Sequence, residues 1–231
     1  LQASGLFCYG VWRAWARRAD ADLQSRLVEY ALFRDGIYPN AHLEPHPPDR
    51  SAHTVYPPYA FPMTALFFEP YGLVQGRLLV EVLSLASYAA MALYAWRTLA
   101  PYGRPVAAVG AFAGPAIAGN GTALWLSQFS IVCTGLLVAQ LWLLERGRPL
   151  MAGVCWALAM IKPQIGLPFF LLFVVSRQWR GGLLGVALLG GLSLFASQWT
   201  EVPLTEIVSH WTRGMSLRFT EESNNIGPGT V

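Results

Sequence analysis

The feature that most constrains this chain is a succession of apolar runs between residues 73 and 199. They are Leu73 to Leu99, Val106 to about Ile117, Phe129 to Leu144, Leu150 to Ile161, Gly166 to Val175 and Leu183 to Trp199. Their charges gather at the ends, as with Arg77 and Glu81 near the start of the first run, four apart and able to pair on one helical face. A spanning helix needs about 20 apolar residues. Of the 231 residues, 54% are hydrophobic and only 13% charged, where a soluble domain is nearer a quarter charged. The expected fold is all-α, a polytopic transmembrane helical bundle with a long outer loop carrying interfacial helices. Leu1 to Trp12 is too short to span and reads as the end of a preceding helix, so 1–231 is expected to be a single, truncated transmembrane domain with about six spans over 73–199.

The longest interruption is Arg13 to Gly72, which carries every Asp of the chain: Asp20, Asp22, Asp35 and Asp49. Within it, Leu23, Leu27, Val28, Ala31 and Leu32 recur at helical spacing, which predicts an amphipathic helix over 20–34 lying on the membrane surface. Asp35-Gly36 ends that helix, because glycine readily takes the left-handed C-cap. The prolines break Tyr38 to Tyr59, and Ala60 to Phe68 predicts a short interfacial or re-entrant helix. Beyond the last run, 200–231 is polar.

Orientation follows from the arginines. Arg97 and Arg104, Arg146 and Arg148, and Arg177 and Arg180 occupy three short loops on one side, which the positive-inside rule makes cytoplasmic. The loop at 13–72 and the tail at 200–231 are then expected on the outer face. The six arginines of the long loop do not oppose this, because long loops translocate largely regardless of charge. A net charge of +3 is too small to suggest nucleic acid.

Few residues carry candidate chemistry. Asp20 and Asp22 follow the first apolar segment, and a carboxylate there suits a general base for a hydroxyl acceptor; the plainer reading makes both solvated partners of Arg17 and Arg18. Lys162 is the only lysine among sixteen basic residues. It ends a short apolar run and precedes Pro163, so it marks a broken span, where an ionisable group faces a cavity and an anion such as phosphate, or else snorkels to headgroups. Gln128 stands at a helix end on the same side. Arg213 and Arg218 in the tail have the geometry to clamp a phosphate or to meet lipid headgroups. His42, Glu44 and His46 do not make a zinc helix, because Pro45, Pro47 and Pro48 interrupt it. No metal is expected, and Cys8, Cys133 and Cys155 read as packing residues.

Several segments, in this order and spacing, resemble one family. They are Asp20-Ala21-Asp22-Leu23, Asp35-Gly36-Ile37-Tyr38-Pro39, Tyr56-Pro57-Pro58-Tyr59 running to Glu69-Pro70, Gln128-Phe129-Ser130, Glu145-Arg146-Gly147-Arg148, Ala152-Gly153-Val154 and Ile161-Lys162-Pro163-Gln164. The chain resembles the GT-C class of integral-membrane glycosyltransferases, most closely family 87, whose members look like polyprenyl-phosphate-mannose-dependent mannosyltransferases. The resemblance implies inverting transfer of a mannose-like sugar from a polyprenyl-phosphate donor to a glycolipid or glycan acceptor. It further implies a multi-pass protein of the bacterial plasma (inner) membrane with its active site on the outer face, in contact with membrane lipid. Asp22 matches the catalytic base, with Asp20 as its neighbour. Lys162, Gln164 and Gln128 match in position the groups that hold the donor phosphate, joined by Arg218. Tyr38, Tyr56 and Tyr59 suit contact with the sugar or acceptor. Ser223-Asn224-Asn225 departs from the family's later Asn-Gln-Ser by lacking the Gln. No cofactor is expected, since the lipid-phosphate sugar is itself a substrate. The alternative functions are a transporter or flippase of lipid-linked material, for which span-centre charges and repeated halves are wanting, and a non-catalytic scaffold.

Overall fold

In the computed structural model, residues 21–39, 54–68, 72–116, 123–124 and 128–225 are described, and every regular element among them is a helix. The helices are α1 (Ala21–Arg34), α2 (Ala60–Phe68), α3 (Gly72–Leu99), α4 (Arg104–Ala116), α5 (Ser130–Glu145), α6 (Pro149–Ala159), α7 (Pro163–Val175), α8 (Trp179–Trp199) and α9 (Leu204–Asn225). The chain divides into two compact units. One joins Leu1–Gln24 to Phe67–Leu188, and the other joins Ser25–Leu66 to Leu189–Val231.

Among the described residues, two stretches are long and apolar enough to cross a membrane, Gln75–Tyr102 and Trp179–Trp199. Both carry large apolar side chains on the surface, among them Val82, Leu85 and Leu93 on α3 and Leu183, Leu194 and Phe195 on α8. At 16 and 11 residues, α5 and α6 are shorter than the roughly 20 residues of a straight span. Gly147 closes the turn between them, and Pro163 opens the next helix. The run after Lys162 is itself broken, as α-helix Pro163–Gly166, a 3-10 turn Leu167–Phe170 and α-helix Leu171–Val175. Most of the connection between the second and third apolar runs, 117–122 and 125–127, lies outside the described residues.

In the first unit, α3 packs against α4 and α5, and α5 packs against α6. The turn from α5 to α6 closes with Gly147 at φ 66° and with Arg148 N–H donating to Leu143 O. Small residues set the spacing. A Cβ on Gly135 of α5 would stand 2.4 Å from the Ser87 side chain of α3, so the two backbones approach as only glycine permits. Tyr94 donates to Glu145 Oε1 at 2.6 Å and ties the same pair near its far end. Tyr88, Leu124 and Ile131 form a buried apolar cluster. The predicted pair forms as well: Arg77 Nε lies 2.8 Å from Glu81 Oε1, with both side chains largely buried.

In the second unit, α1 ends as its sequence predicts. Gly36 takes φ 78°, and Gly36 and Ile37 N–H donate to Phe33 and Leu32 O, a Schellman closure. The face α1 buries differs from the one its apolar spacing suggests. Arg26, Glu29, Tyr30 and Phe33 are buried, Val28 is exposed, and Leu27, Ala31 and Leu32 are half-buried. The reason is that Arg26 and Glu29 neutralise each other across one turn, which lets a charged stripe pack inward. Two tryptophans fasten this unit: Trp199 Nε1 donates to Phe33 O at 2.7 Å and Trp211 Nε1 to Val55 O at 3.0 Å. The polar stretch after residue 200 is a 22-residue helix, α9, opening after Pro203.

Candidate functional site

Two of the predicted residues, Lys162 and Gln128, are linked through Ser130, and the position of Lys162 follows from its neighbours. Pro163 occupies the first helical position of α7, where its missing N–H costs nothing. A residue before proline is pushed to extended backbone, and Lys162 takes φ −118°, ψ 88°. Its carbonyl then accepts from Ile165 and Gly166 N–H. The junction is clamped from both sides. Trp156 Nε1 of α6 donates to Gly166 O at 2.9 Å, and Gln140 Nε2 of α5 donates to Phe169 O at 3.1 Å. Gln140 is fully buried, and it serves a carbonyl next to the break at Pro168.

The Lys162 side chain turns back to the start of α5. It is 8% exposed, and Nζ donates to Ser130 Oγ at 2.8 Å. Ser130 in turn lies 3.4 Å from Gln128 Oε1, at the outer limit of a hydrogen bond. The result is a polar chain, Lys162–Ser130–Gln128, at the junction of two helix termini: the break before α7 and the first residue of α5. A buried ammonium is costly unless polar groups surround it, and one held at a helix break is suited to meet an anion from outside. Gln164, the third member predicted here, is exposed. Ser130 was not singled out by its sequence context, because nothing local links it to a lysine 32 residues later.

The carboxylates stand apart in what can be described. Position 22 is the second residue of α1, where a negative charge is favoured by the helix dipole; its side chain and all of Asp20 lie outside the described residues. So do His42, His46 and His53. Arg218 lies on α9, and its side chain is likewise outside the described residues.

The three tyrosines occupy different settings in the second unit. Tyr38 is buried, edge-on to Phe61 at 5.6 Å, which also stacks on Phe33. Burial, and secondly the charge of Glu29, raise its phenol above the ordinary range. Tyr56 is buried under the guanidinium of Arg26, 4.3 Å from the ring centre. Tyr59 is half-buried, and burial raises its phenol too. Of the three, Tyr59 keeps the most surface for contact with a ligand.

Arg26 organises this region. Nη1 donates to Glu29 Oε2 and, at 3.2 Å, to Thr54 Oγ1. Thr54 Oγ1 also accepts from Tyr56 N–H at 3.1 Å. One cation thereby fixes the Thr54–Tyr59 strip to α1. The Arg26–Glu29 spacing of three was present in the sequence, but nothing local marked it as buried.

Together these features define a class: a chain that is helical throughout its described residues, with two span-length apolar helices among them and a cationic polar centre where two helix ends meet, a site suited to an anionic group. The family model of glycosyltransferase family 87 matches residues 55–229, more than half of the chain. The chain belongs to that family and is a glycosyltransferase, acting on a sugar donor and an acceptor. No curated protein and no solved structure matches it. Gln128, Ser130, Lys162, Gln164 and Arg218 fall inside the matched region, and Asp20, Asp22 and Tyr38 precede it.

Proposed function

We propose that this glycosyltransferase is a membrane-embedded hexosyltransferase. It moves a mannose-like sugar from a polyprenyl-phosphate donor to a glycolipid or glycan hydroxyl at the outer face of the bacterial inner membrane. The carrying observation is the buried Lys162, hydrogen-bonded to Ser130 at a helix break. A nucleophilic displacement at the anomeric carbon leaves a phosphate oxygen with its charge unshared, and a preorganised cation there lowers the barrier.

Each group has a role. Asp22, with Asp20 beside it in sequence, takes the proton from the acceptor hydroxyl. The acceptor oxygen forms its bond to the anomeric carbon as the bond from that carbon to the phosphate oxygen breaks. The proton ends on the carboxylate, and the electron pair ends on polyprenyl phosphate. One displacement inverts the anomeric configuration. Lys162, set by Ser130 and flanked by Gln128 and Gln164, offsets the charge that develops on the departing phosphate. The resemblance of Asp20-Ala21-Asp22-Leu23 to the family's first outer loop supports the base, and α1 places position 22 in its first turn.

Sugar transfer from a labelled polyprenyl-phosphate donor tests the assignment. Asp22→Asn is expected to lower kcat by about 100-fold or more, the usual worth of a general base. Undiminished transfer in both Asp22→Asn and Asp20→Asn would sink the base assignment. A transporter would instead move the donor across the bilayer and return it unchanged.

A further inference from the structure

A second cationic feature lies in the same unit and belongs to no step of sugar transfer. An open cleft of about 380 Å³ is lined by Gly147, Arg148, Pro149, Leu150, Met151 and Arg180. We infer that this cleft binds the phosphate of an anionic membrane phospholipid in the leaflet on the arginine-rich side of the protein. The inference is independent of the donor and acceptor assigned above; it requires only that the chain sits in lipid.

Three observations carry it. First, the cleft has two arginines, both exposed, and no carboxylate among the described residues pairs with either. Two arginines lining one cleft supply the charge and the N–H donors that the several oxygens of a phosphate take. Second, two helices begin here. Arg148 precedes α6 with no side-chain cap, and α8 starts so close by that a Cβ on Gly181 would stand 2.2 Å from Pro149 O. The positive ends of both helix dipoles therefore add to the arginine field.

Third, the walls are apolar. Leu150 and Met151, which line the cleft, are 53% and 54% exposed. A free phosphate has no use for such walls, whereas a phospholipid has acyl chains to lay along them. Basic pockets between helix ends on the positively charged side of a membrane protein take anionic headgroups for these reasons. The arginines are also those that the positive-inside pattern assigns to the cytoplasmic loops, so the lipid faces the leaflet opposite the proposed sugar transfer.

The test measures lipid retained by the purified full chain in a mild detergent, using native mass spectrometry with phosphatidylglycerol and phosphatidylcholine as probes. Phosphatidylglycerol is expected to bind about twenty-five-fold more tightly, the product of two surface charges each worth about a factor of five. Arg148→Gln with Arg180→Gln is expected to abolish that preference, and Arg180→Gln alone to remove about a factor of five. The equally charged pair Arg97→Gln with Arg104→Gln, in another loop, is expected to keep it. Millimolar inorganic phosphate is expected to displace little lipid. Equal binding of the two lipids would overturn the inference. So would a preference that survives in the cleft variants, or one lost equally in the Arg97 and Arg104 control. Displacement of the lipid by inorganic phosphate alone would make the cleft a free-anion site and overturn it as well. A thermal midpoint matching the unmodified chain shows that each variant is folded.

Discussion

At the residue scale, the account turns on one hydroxyl. Ser130 accepts from Lys162 and so determines where the ammonium points. Hydrogen bonds to charged groups are worth about 1.5–3 kcal/mol, so Ser130→Ala is expected to raise KM for the lipid-phosphate donor about tenfold. The acceptor KM should stay close to its original value, and Ser130→Thr should restore most of the loss. Lys162→Gln should lower kcat about 100-fold or more, as expected for a lost charge-stabilising donor. An Arg at that position should recover only part, because a guanidinium does not reproduce a single Nζ–Oγ contact. Steady-state kinetics with donor and acceptor varied separately checks both. Lys162 was legible in the sequence, as a lone lysine before a proline at the end of an apolar run. Ser130 was not, because a contact across 32 residues depends on how α5 and α6 pack. The tyrosines give a pH test. Burial raises the phenols of Tyr38 and Tyr59 above the usual value of about 10. A group raised on folding contributes stability in full below its unfolded value and loses it as pH climbs through the folded one. Alkaline spectrophotometric titration should therefore find a fraction of tyrosines that ionise only above pH 10, together with falling stability there.

At the scale of elements, the sequence marked where helices begin and end far better than which faces they bury. The helix expected at 20–34, the one at 60–68 and the turn at Gly36 stand as Ala21–Arg34, Ala60–Phe68 and φ 78°, because proline, glycine and capping chemistry act locally. The buried face of α1 was not legible, because the Arg26–Glu29 pair hides its charge only once Thr54 and Tyr56 cover it. Truncating one partner of such a pair leaves the other buried and uncompensated. Arg26→Met is therefore expected to cost about 3 kcal/mol or more. The double change Arg26→Met with Glu29→Leu should recover most of that loss, as a denaturant titration of the detergent-solubilised chain would measure. The contact between α6 and α8 gives a further test. A Cβ on Gly153 would stand 2.1 Å from Gly181 O, so Gly153→Leu should push the helices apart at about 1–3 kcal/mol, seen as a lower thermal midpoint. The helix at Leu204–Asn225 escaped the sequence reading, since its polar composition resembles a loop and its single buried stripe through Ile207 and Gly214 is narrow.

At the scale of the whole molecule, the chain is an all-helical member of glycosyltransferase family 87. Composition pointed to apolar helices throughout, and two of them have spanning length. The interruption at Pro163 creates the polar junction on which the proposed chemistry depends. A span broken before Pro163 is what brings a lysine to the start of α5. In the proposed reaction the sugar arrives on a lipid phosphate whose charge Lys162 receives. The most direct measurement offers the purified full chain in lipid bilayers two labelled donors in parallel, polyprenyl-phosphate mannose and a nucleotide-activated mannose, with a glycolipid acceptor. Product from the lipid-linked donor alone, falling about 100-fold or more in Lys162→Gln, is the predicted result; product from the nucleotide sugar, or lipid-donor transfer indifferent to Lys162→Gln, would contradict it.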